Sequence, residues 1–481
     1  PVIAALGATE RAQPPAPGAA VAPTVPMPIE RRLSNGMRLV VLERHALPIV
    51  TAHLVARLGS SSDPVGRFGV ADLAADLLTR GTPTRNAVQI ANAIENAGGS
   101  IGADASRDGT TMTLTVKSDE LEPAMAVFAD AALHASFAQE ELDRARGEAL
   151  DGLEQSYKTP STLAGLVASR AVFGDGPYGK PGNGTPASLP AITRADLLAA
   201  YRATWTPATT ALVVAGDITP DAAQALAEKW FGGWKATKAT KATKATKATP
   251  AVAFPPDALP AALPYPRPRL IVVDLPGAPQ AAVTIARPTI RRADPDYYAM
   301  QVANTALGGG YSARLNREVR VKRGLAYGAS SRFSAGRLPG ALTVSTQTKN
   351  PTAPQVIGIM RGEMARMGAE PVPADELAAR KASLTGSYGE AIETTDGIAG
   401  MIAGLVLQGV DPAEITRQTQ KIEAVGPVEV QRVSRALIDP GVASVIVVGD
   451  AAQFLPAMRA QGLAPEVIPA AKLRLDSAAL R

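Results

Sequence analysis

Apolar residues recur at helical spacing in Val70 to Leu78, Ala87 to Ala97, Leu121 to Ala135, Ala138 to Tyr157 and Thr162 to Val172. Thr110 to Val116 instead alternates apolar and polar side chains, as a strand with one buried face does. Ahead of these, Glu30-Arg-Arg-Leu and Met37 to Leu42 flank the turn Ser34-Asn-Gly36, and a further strand runs from Ile49 to Arg57. The Asn-Gly pair is the hairpin signal, because both of its residues accept the positive φ of a tight turn. The pattern predicts an α+β layer, with helices packed on a mostly antiparallel sheet. The Gly/Pro-dense segment Gly174 to Pro186 reads as a surface loop.

The pattern then repeats. Ile192 to Asp217 (ITRADLLAAYRATWTPATTALVVAGD) runs without a gap beside Val425 to Asp450 (VGPVEVQRVSRALIDPGVASVIVVGD). Pro207/Pro440, Val213/Ile446, Val214/Val447, Gly216/Gly449 and Asp217/Asp450 share one constant offset. A helix-period stretch, a Pro that stops it, an apolar strand and a Gly-Asp turn thus occur twice in one register, so the chain holds two copies of one fold. The first spans 29–234. The second spans 269–465, opening with strands Leu270 to Asp274 and Gln280 to Ala286 and helix Tyr297 to Ala306. Between them, Lys235-Ala-Thr is repeated to Thr249 and followed by a Pro-rich run to Pro268. With no apolar face to bury, 235–268 reads as a solvated linker rather than a binder of acidic partners. A Pro/Ala-rich extension (1–28) and a tail (466–481) complete the chain, and two related domains direct attention to the cleft between them.

Composition narrows the chemistry. There is no cysteine among the 481 residues, which excludes thiol catalysis, Cys-zinc sites and disulfides. A net charge of +5 is spread along the chain without a basic cluster interleaved with aromatics, so nucleic acid is not an expected partner. No apolar run is long enough for a membrane span. The Ala/Pro-rich N-terminal segment is of the kind left at a mature N-terminus once a secretory signal is removed, giving a periplasmic or otherwise exported location as the expectation. The histidines His45, His53 and His134 lack ligand spacing and read as ordinary structural or surface residues.

Ser312 to Arg323 reads as a helix with Arg320, Lys322 and Arg323 in its last turn, Gly324 ends it, and Leu325 to Ser331 reads as a strand. Arg320 and Tyr327 then flank a tight helix-to-strand turn and can enter one cleft, where both supply hydrogen-bond donors for a peptide carbonyl or the oxyanion formed from it. Generic chemistry alone favours a surface arginine and a packed tyrosine at these positions. Gly308-Gly-Gly310 is not followed by the Gly-Lys-Ser/Thr of a phosphate loop, and Thr385-Gly-Ser-Tyr-Gly389 lacks the first glycine of a serine-hydrolase elbow.

Pro276-Gly-Ala-Pro-Gln280, Ala306-Leu-Gly-Gly-Gly310, Ser312-Ala-Arg-Leu315 and Glu318-Val-Arg320 through Arg323-Gly-Leu-Ala-Tyr327 resemble the pitrilysin/insulinase zinc-peptidase family, in its mitochondrial-processing-peptidase-like branch. The likeness extends to Gly69-Val-Ala71, Arg80-Gly-Thr82, Pro177-Tyr-Gly-Lys-Pro181 and Gly184-Thr185, and covers roughly Ile29 to Asp450. It implies two homologous halves arranged as a clam shell around an unfolded peptide. It also implies a zinc motif, His-x-x-Glu-His, whose three functional positions here carry Asp72, Ala75 and Asp76. Both imidazoles and the general base are missing, and the downstream Glu ligand has no counterpart near Asp151-Gly152-Leu153. Arg320 and Tyr327 match the pair that binds the scissile peptide in active relatives, with Gly308, Gly309 and Gly310 lining the substrate cleft. The resemblance therefore implies a metal-free subunit that pairs with a zinc-bearing homologue in a heterodimer, zinc residing in the partner. Its alternative is a non-catalytic peptide-binding or structural core subunit.

Overall fold

The computed structural model describes residues 24–57, 59–235 and 265–481; most of the N-terminal extension and of the Lys-Ala-Thr and Pro-rich linker lies outside them. Two six-stranded sheets form the scaffold. The first is built from β1 (Ile29–Arg32), β2 (Arg38–Glu43), β3 (Ile49–Ala56), β4 (Ser100–Ala105), β5 (Thr110–Lys117) and β6 (Thr210–Gly216), in the order β1-β2-β6-β3-β5-β4. The second contains β7 (Leu270–Asp274), β8 (Ala281–Pro288), β9 (Ala326–Phe333), β10 (Ala341–Thr348), β11 (Ser444–Gly449) and β12 (Glu466–Pro469), in the order β12-β7-β11-β8-β10-β9. Five strands correspond one for one, and the outer edge differs: β1 lies antiparallel to β2, whereas β12 lies parallel to β7. Apart from β2/β6, β7/β11 and β12/β7 all pairings are antiparallel. The first half carries α1 (Val70–Asp76), α2 (Ala87–Glu95), α3 (Leu121–His134), α4 (Gln139–Lys158), α5 (Pro160–Phe173), α6 (Ser188–Ala191), α7 (Arg194–Thr204) and α8 (Pro220–Ala227). The second carries α9 (Tyr297–Leu307), α10 (Arg314–Asn316), α11 (Ala353–Ala369), α12 (Ala374–Ala391), α13 (Thr395–Gln408), α14 (Gln418–Glu423), α15 (Pro427–Leu437) and α16 (Leu455–Ala460). The repeat seen in the sequence is α7–β6 and α15–β11, and the molecule is the α+β pair of homologous halves expected, laid out as a clam shell. Among the described residues no helix is long and apolar enough to cross a membrane.

Each sheet has two apolar faces, and the halves divide the task of covering them. One face of the first sheet (Leu39, Val41, Ala52, Leu54, Leu114, Leu212) packs against helices of its own half. The opposite face (Val40, Leu42, Val55, Val213) is covered by Ile398, Ile402 and Val406 of α13, a helix of the other half. The reciprocal contact puts Leu163, Val167 and Val172 of α5 onto Ile271, Val273, Ala282 and Ile446 of the second sheet. Parallel or two-sided burial of this kind explains why β6 and β11 read as continuous apolar runs instead of alternating ones.

Four local features differ from the sequence reading. The segment 174–186 is not a surface loop: Gly174, Tyr178, Gly179, Pro181, Gly184 and Thr185 are buried. Its glycines make that possible, since a Cβ at Gly179 would lie 2.1 Å from the Gly174 carbonyl oxygen, and the buried Arg170 guanidinium donates to the Gly174 and Gly179 carbonyls at 2.7 and 3.1 Å. The 466–481 segment is no detached tail, because β12 extends the second sheet and Leu473, Leu475 and Leu480 are buried under α5. The helix expected over 312–323 is short, α10 passing into a single π-helical turn, Arg317–Val321. Edge strand β4 goes unmarked in the sequence reading: Ile101, Ala103 and Ala105 alternate with Ser100, Gly102 and Asp104, but the run is short and its side chains are small.

Candidate functional site

Arg320 and Tyr327 are brought together as the sequence suggests. The Arg320 guanidinium carbon lies 4.5 Å from the Tyr327 ring centre and 5.0 Å from that of Tyr311, a residue that sequence reasoning does not single out. Tyr327 is 88% exposed and Tyr311 68% exposed, so the tyrosine at 327 is not a packing residue. The turn that presents them is firmly held. Arg314, buried, donates to Glu376 of α12 at 2.8 Å, and Glu318 accepts from Lys322 and Arg323 at 2.5 Å each. These two cations pull the Glu318 carboxyl down to about 2. Asn316 joins the flanks of the turn, donating to the Tyr311 carbonyl at 2.7 Å and accepting from the Ala329 N–H of β9 at 3.3 Å. Gly324 then reverses the chain at φ +60°, which favours glycine.

The cleft so formed has a volume of about 760 Å³ and is lined by Arg320, Tyr327, Tyr311 and Gly308 to Gly310, with β9 forming a wall. It belongs to the second half; among the described residues of the first half only Ser161 of α5 reaches it. The three glycines have different reasons to be there. A Cβ at Gly308 would sit 2.4 Å from the Ser331 N–H nitrogen, so Gly308 lets the end of α9 abut β9, whereas at Gly310 there is open space.

The zinc-motif positions lie on α1, away from this cleft. Ala75 is buried and offers no donor. Asp76 forms an ion pair with Arg80 at 3.0 Å, and Arg80 also binds Glu148 of α4 at 2.8 Å. One guanidinium thus already pairs with both the Asp76 and the Glu148 carboxylates. Asp72 accepts from the Asn183 amide at 3.4 Å, and burial, reinforced by the charge of Asp76, pushes its carboxyl up to about 6. Asp151 is exposed. No group of three or more candidate metal ligands occurs among the described residues, and with neither imidazole nor base this half does not fit a hydrolytic zinc. The histidines are scattered: His45 bridges Glu43 and Asp217 at 2.7 and 2.6 Å, His134 meets Asp130 at 3.1 Å, and buried His53 meets Thr113 at 3.0 Å and Asp396 at 3.5 Å. The family-like glycines near α1 are structural. Gly69 takes φ +93°, and a Cβ there would lie 2.9 Å from the Gly184 Cα.

Residues 39–184 match the family model described as Insulinase (Peptidase family M16), and residues 191–384 match that described as Peptidase M16 inactive domain. The chain belongs to the insulinase, or M16, peptidase family and lacks that family's zinc-binding motif. It is 27% identical over 428 residues to an uncharacterized zinc protease of Mycobacterium tuberculosis, covering 89% of this chain and 93% of that one. It is 24% identical to the uncharacterized zinc protease YmxG of Bacillus subtilis, over 75% and 84% of the two chains. Among solved structures, a peptidase M16 inactive domain from Pseudomonas fluorescens superposes with a TM-score of 0.78 at 24% identity, covering 88% of this chain and 98% of that one. A protease from Helicobacter pylori gives the same TM-score at 17% identity, covering 88% and 100%.

Proposed function

We propose that this chain is the metal-free subunit of a heterodimeric zinc endopeptidase of the processing-peptidase-like kind, acting on short unfolded peptides. The observation that carries the reading is the asymmetry between its two candidate half-sites. Half-buried Arg320 and exposed Tyr327 are assembled and, among the described residues, without a carboxylate partner, while Asp72, Ala75 and Asp76 form no ligand set and Asp76 is tied to Arg80. Zinc, the water it activates and the general base belong to the partner in this reading. The Arg320 N–H groups and the Tyr327 hydroxyl hydrogen-bond the peptide carbonyl and hold the oxyanion that develops from it, an interaction that strengthens as charge accumulates. Strand addition suits an unfolded substrate because it reads backbone more than side chains, but β9 is no bare edge, since its Ala329 and Ser331 N–H groups already donate to Asn316 and to the Gly308 carbonyl.

Native mass spectrometry of the protein purified from its own source tests the assembly. A one-to-one complex with a homologue that carries His-x-x-Glu-His, holding one zinc, is the expected result. A metal-free monomer or homodimer would sink the split site and leave the structural or peptide-binding role.

A further inference from the structure

The charge of the Arg320 cleft is one-sided. Among the described residues its lining contains two charged side chains, Arg320 and Arg332, and no carboxylate. Arg332 lies exposed on edge strand β9, and its side chain has no hydrogen-bond or ion-pair partner among the described residues. Among the described residues the Arg320 side chain has only the rings of Tyr311 and Tyr327 beside it. Several other arginines of the second half are paired with carboxylates: Arg314 with Glu376, Arg323 with Glu318, Arg366 with Glu363 and Glu370, Arg432 with Asp296. Two unneutralised guanidiniums in one concavity create a positive potential that a bound anion relieves, and the planar guanidinium fork matches a carboxylate in bidentate geometry. The cavity between the first sheet and α13 differs in kind, being lined by Asp104, Asp108 and His53 as well as Arg107.

We infer that the cleft selects peptides bearing a carboxylate beside the bound carbonyl, with Arg332 as the specificity-determining residue. This rests on the peptide-binding reading of the same cleft. Arg320 is committed to the carbonyl, so Arg332 is the cation left for a substrate charge. The shared chemistry is a peptide carboxylate, supplied either by an Asp or Glu side chain or by the C-terminus. Lysine- and arginine-rich segments are repelled by the same field.

The test measures binding of fluorescein-labelled, unstructured peptides to the full chain by anisotropy. Three peptides share a Gly/Ser/Ala frame around a central Glu-Glu, Gln-Gln or Lys-Lys pair, each made as the free acid and as the C-terminal amide. The amidated Glu peptide should bind about ten-fold tighter than its Gln counterpart at low salt, the gap narrowing as salt rises. Arg332→Gln should erase most of that gap and leave the Gln peptide unaffected, and Arg332→Lys should restore part of it. A preference seen only with free-acid peptides, and lost in Arg332→Gln, assigns the terminal carboxylate as the ligand. Equal affinity for Glu and Gln peptides, or an equal loss for both in Arg332→Gln, overturns the inference. If that equal binding still falls in Arg320→Ala, the peptide cleft stands and only the selectivity fails; no binding of any peptide sinks both.

Discussion

A guanidinium flanked by aromatic rings keeps its N–H groups available to a ligand, and Arg320 is in that condition between Tyr311 and Tyr327. Because neither the Arg320 nor the Tyr327 side chain makes a hydrogen bond among the described residues, Arg320→Ala and Tyr327→Phe should leave the melting temperature unchanged. In the proposed heterodimer, loss of one donor to a developing oxyanion costs about 10²–10³ in kcat, and each variant should fall in turnover toward that range. Unchanged turnover in both would remove the mechanism. Asp72 makes a separate prediction. Its carboxyl stands at about 6 in the fold against an ordinary 3.8. Between those values the unfolded chain gives up its proton first, so this group's contribution to stability falls as pH rises from about 4 to about 6 and is level above. Asp72→Asn should therefore stabilise the chain near neutral pH by on the order of 1–2 kcal/mol, and by nothing at or below about pH 4. Urea midpoints at the two pH values decide it; a destabilised variant near neutral pH would show that the carboxylate is wanted charged.

At the scale of elements, the π-helical turn Arg317–Val321 is what aims Arg320, and Glu318 is its clasp. With its carboxyl held near 2 against an ordinary 4.5, Glu318 stabilises the fold fully above about 4.5, and that contribution is lost as pH falls toward 2. Lys322 and Arg323 are themselves well exposed, so screening reduces the effect: Glu318→Gln should cost about 1–2 kcal/mol near neutral pH, the difference from the parent closing on acidification. A constant difference down to pH 3 would mean that packing, not charge, holds the turn. This turn also shows what could be read in advance. The helix, Gly324 and strand pattern places Arg320 and Tyr327 on two sides of one reversal, because capping and periodicity are local. Tyr311 leaves no such trace, since its approach to Arg320 depends on Asn316 joining the loop after α9 to β9. Strand β4 escapes notice because Ser100–Ala105, although it alternates, is a short, half-exposed edge of mostly small residues with low strand propensity. Segment 174–186 misleads for the opposite reason: glycines that ordinarily mark a turn here permit burial.

For the whole molecule, the repeat reveals two copies of one fold, but no local pattern tells which sheet an apolar helix covers. α5 and α13 each lie on the sheet of the opposite half, so the two copies are cross-braced, not merely tethered. Polar contacts follow the same path: Asp108 accepts from the Tyr178 hydroxyl and, at 3.0 Å, from the Arg337 N–H, while the Leu338 N–H donates to the Tyr178 oxygen at 3.1 Å. Removing one half would strip the cover from an apolar sheet face bearing Val40, Leu42, Val55 and Val213, or its counterpart bearing Ile271, Val273 and Ile446. At about 25 cal/mol per Å² of apolar surface, faces of several such side chains outweigh the net stability of a typical domain. Two chains, one ending at Lys235 and one beginning at Tyr265, should therefore aggregate or stay unfolded when made separately, yet co-purify as a stable one-to-one pair when made together. Their joint melt should show one transition, because neither half is complete alone. Two soluble, independently melting halves would mean that the exchanged helices contribute little, and that the clam shell can open about its linker without breaking a core.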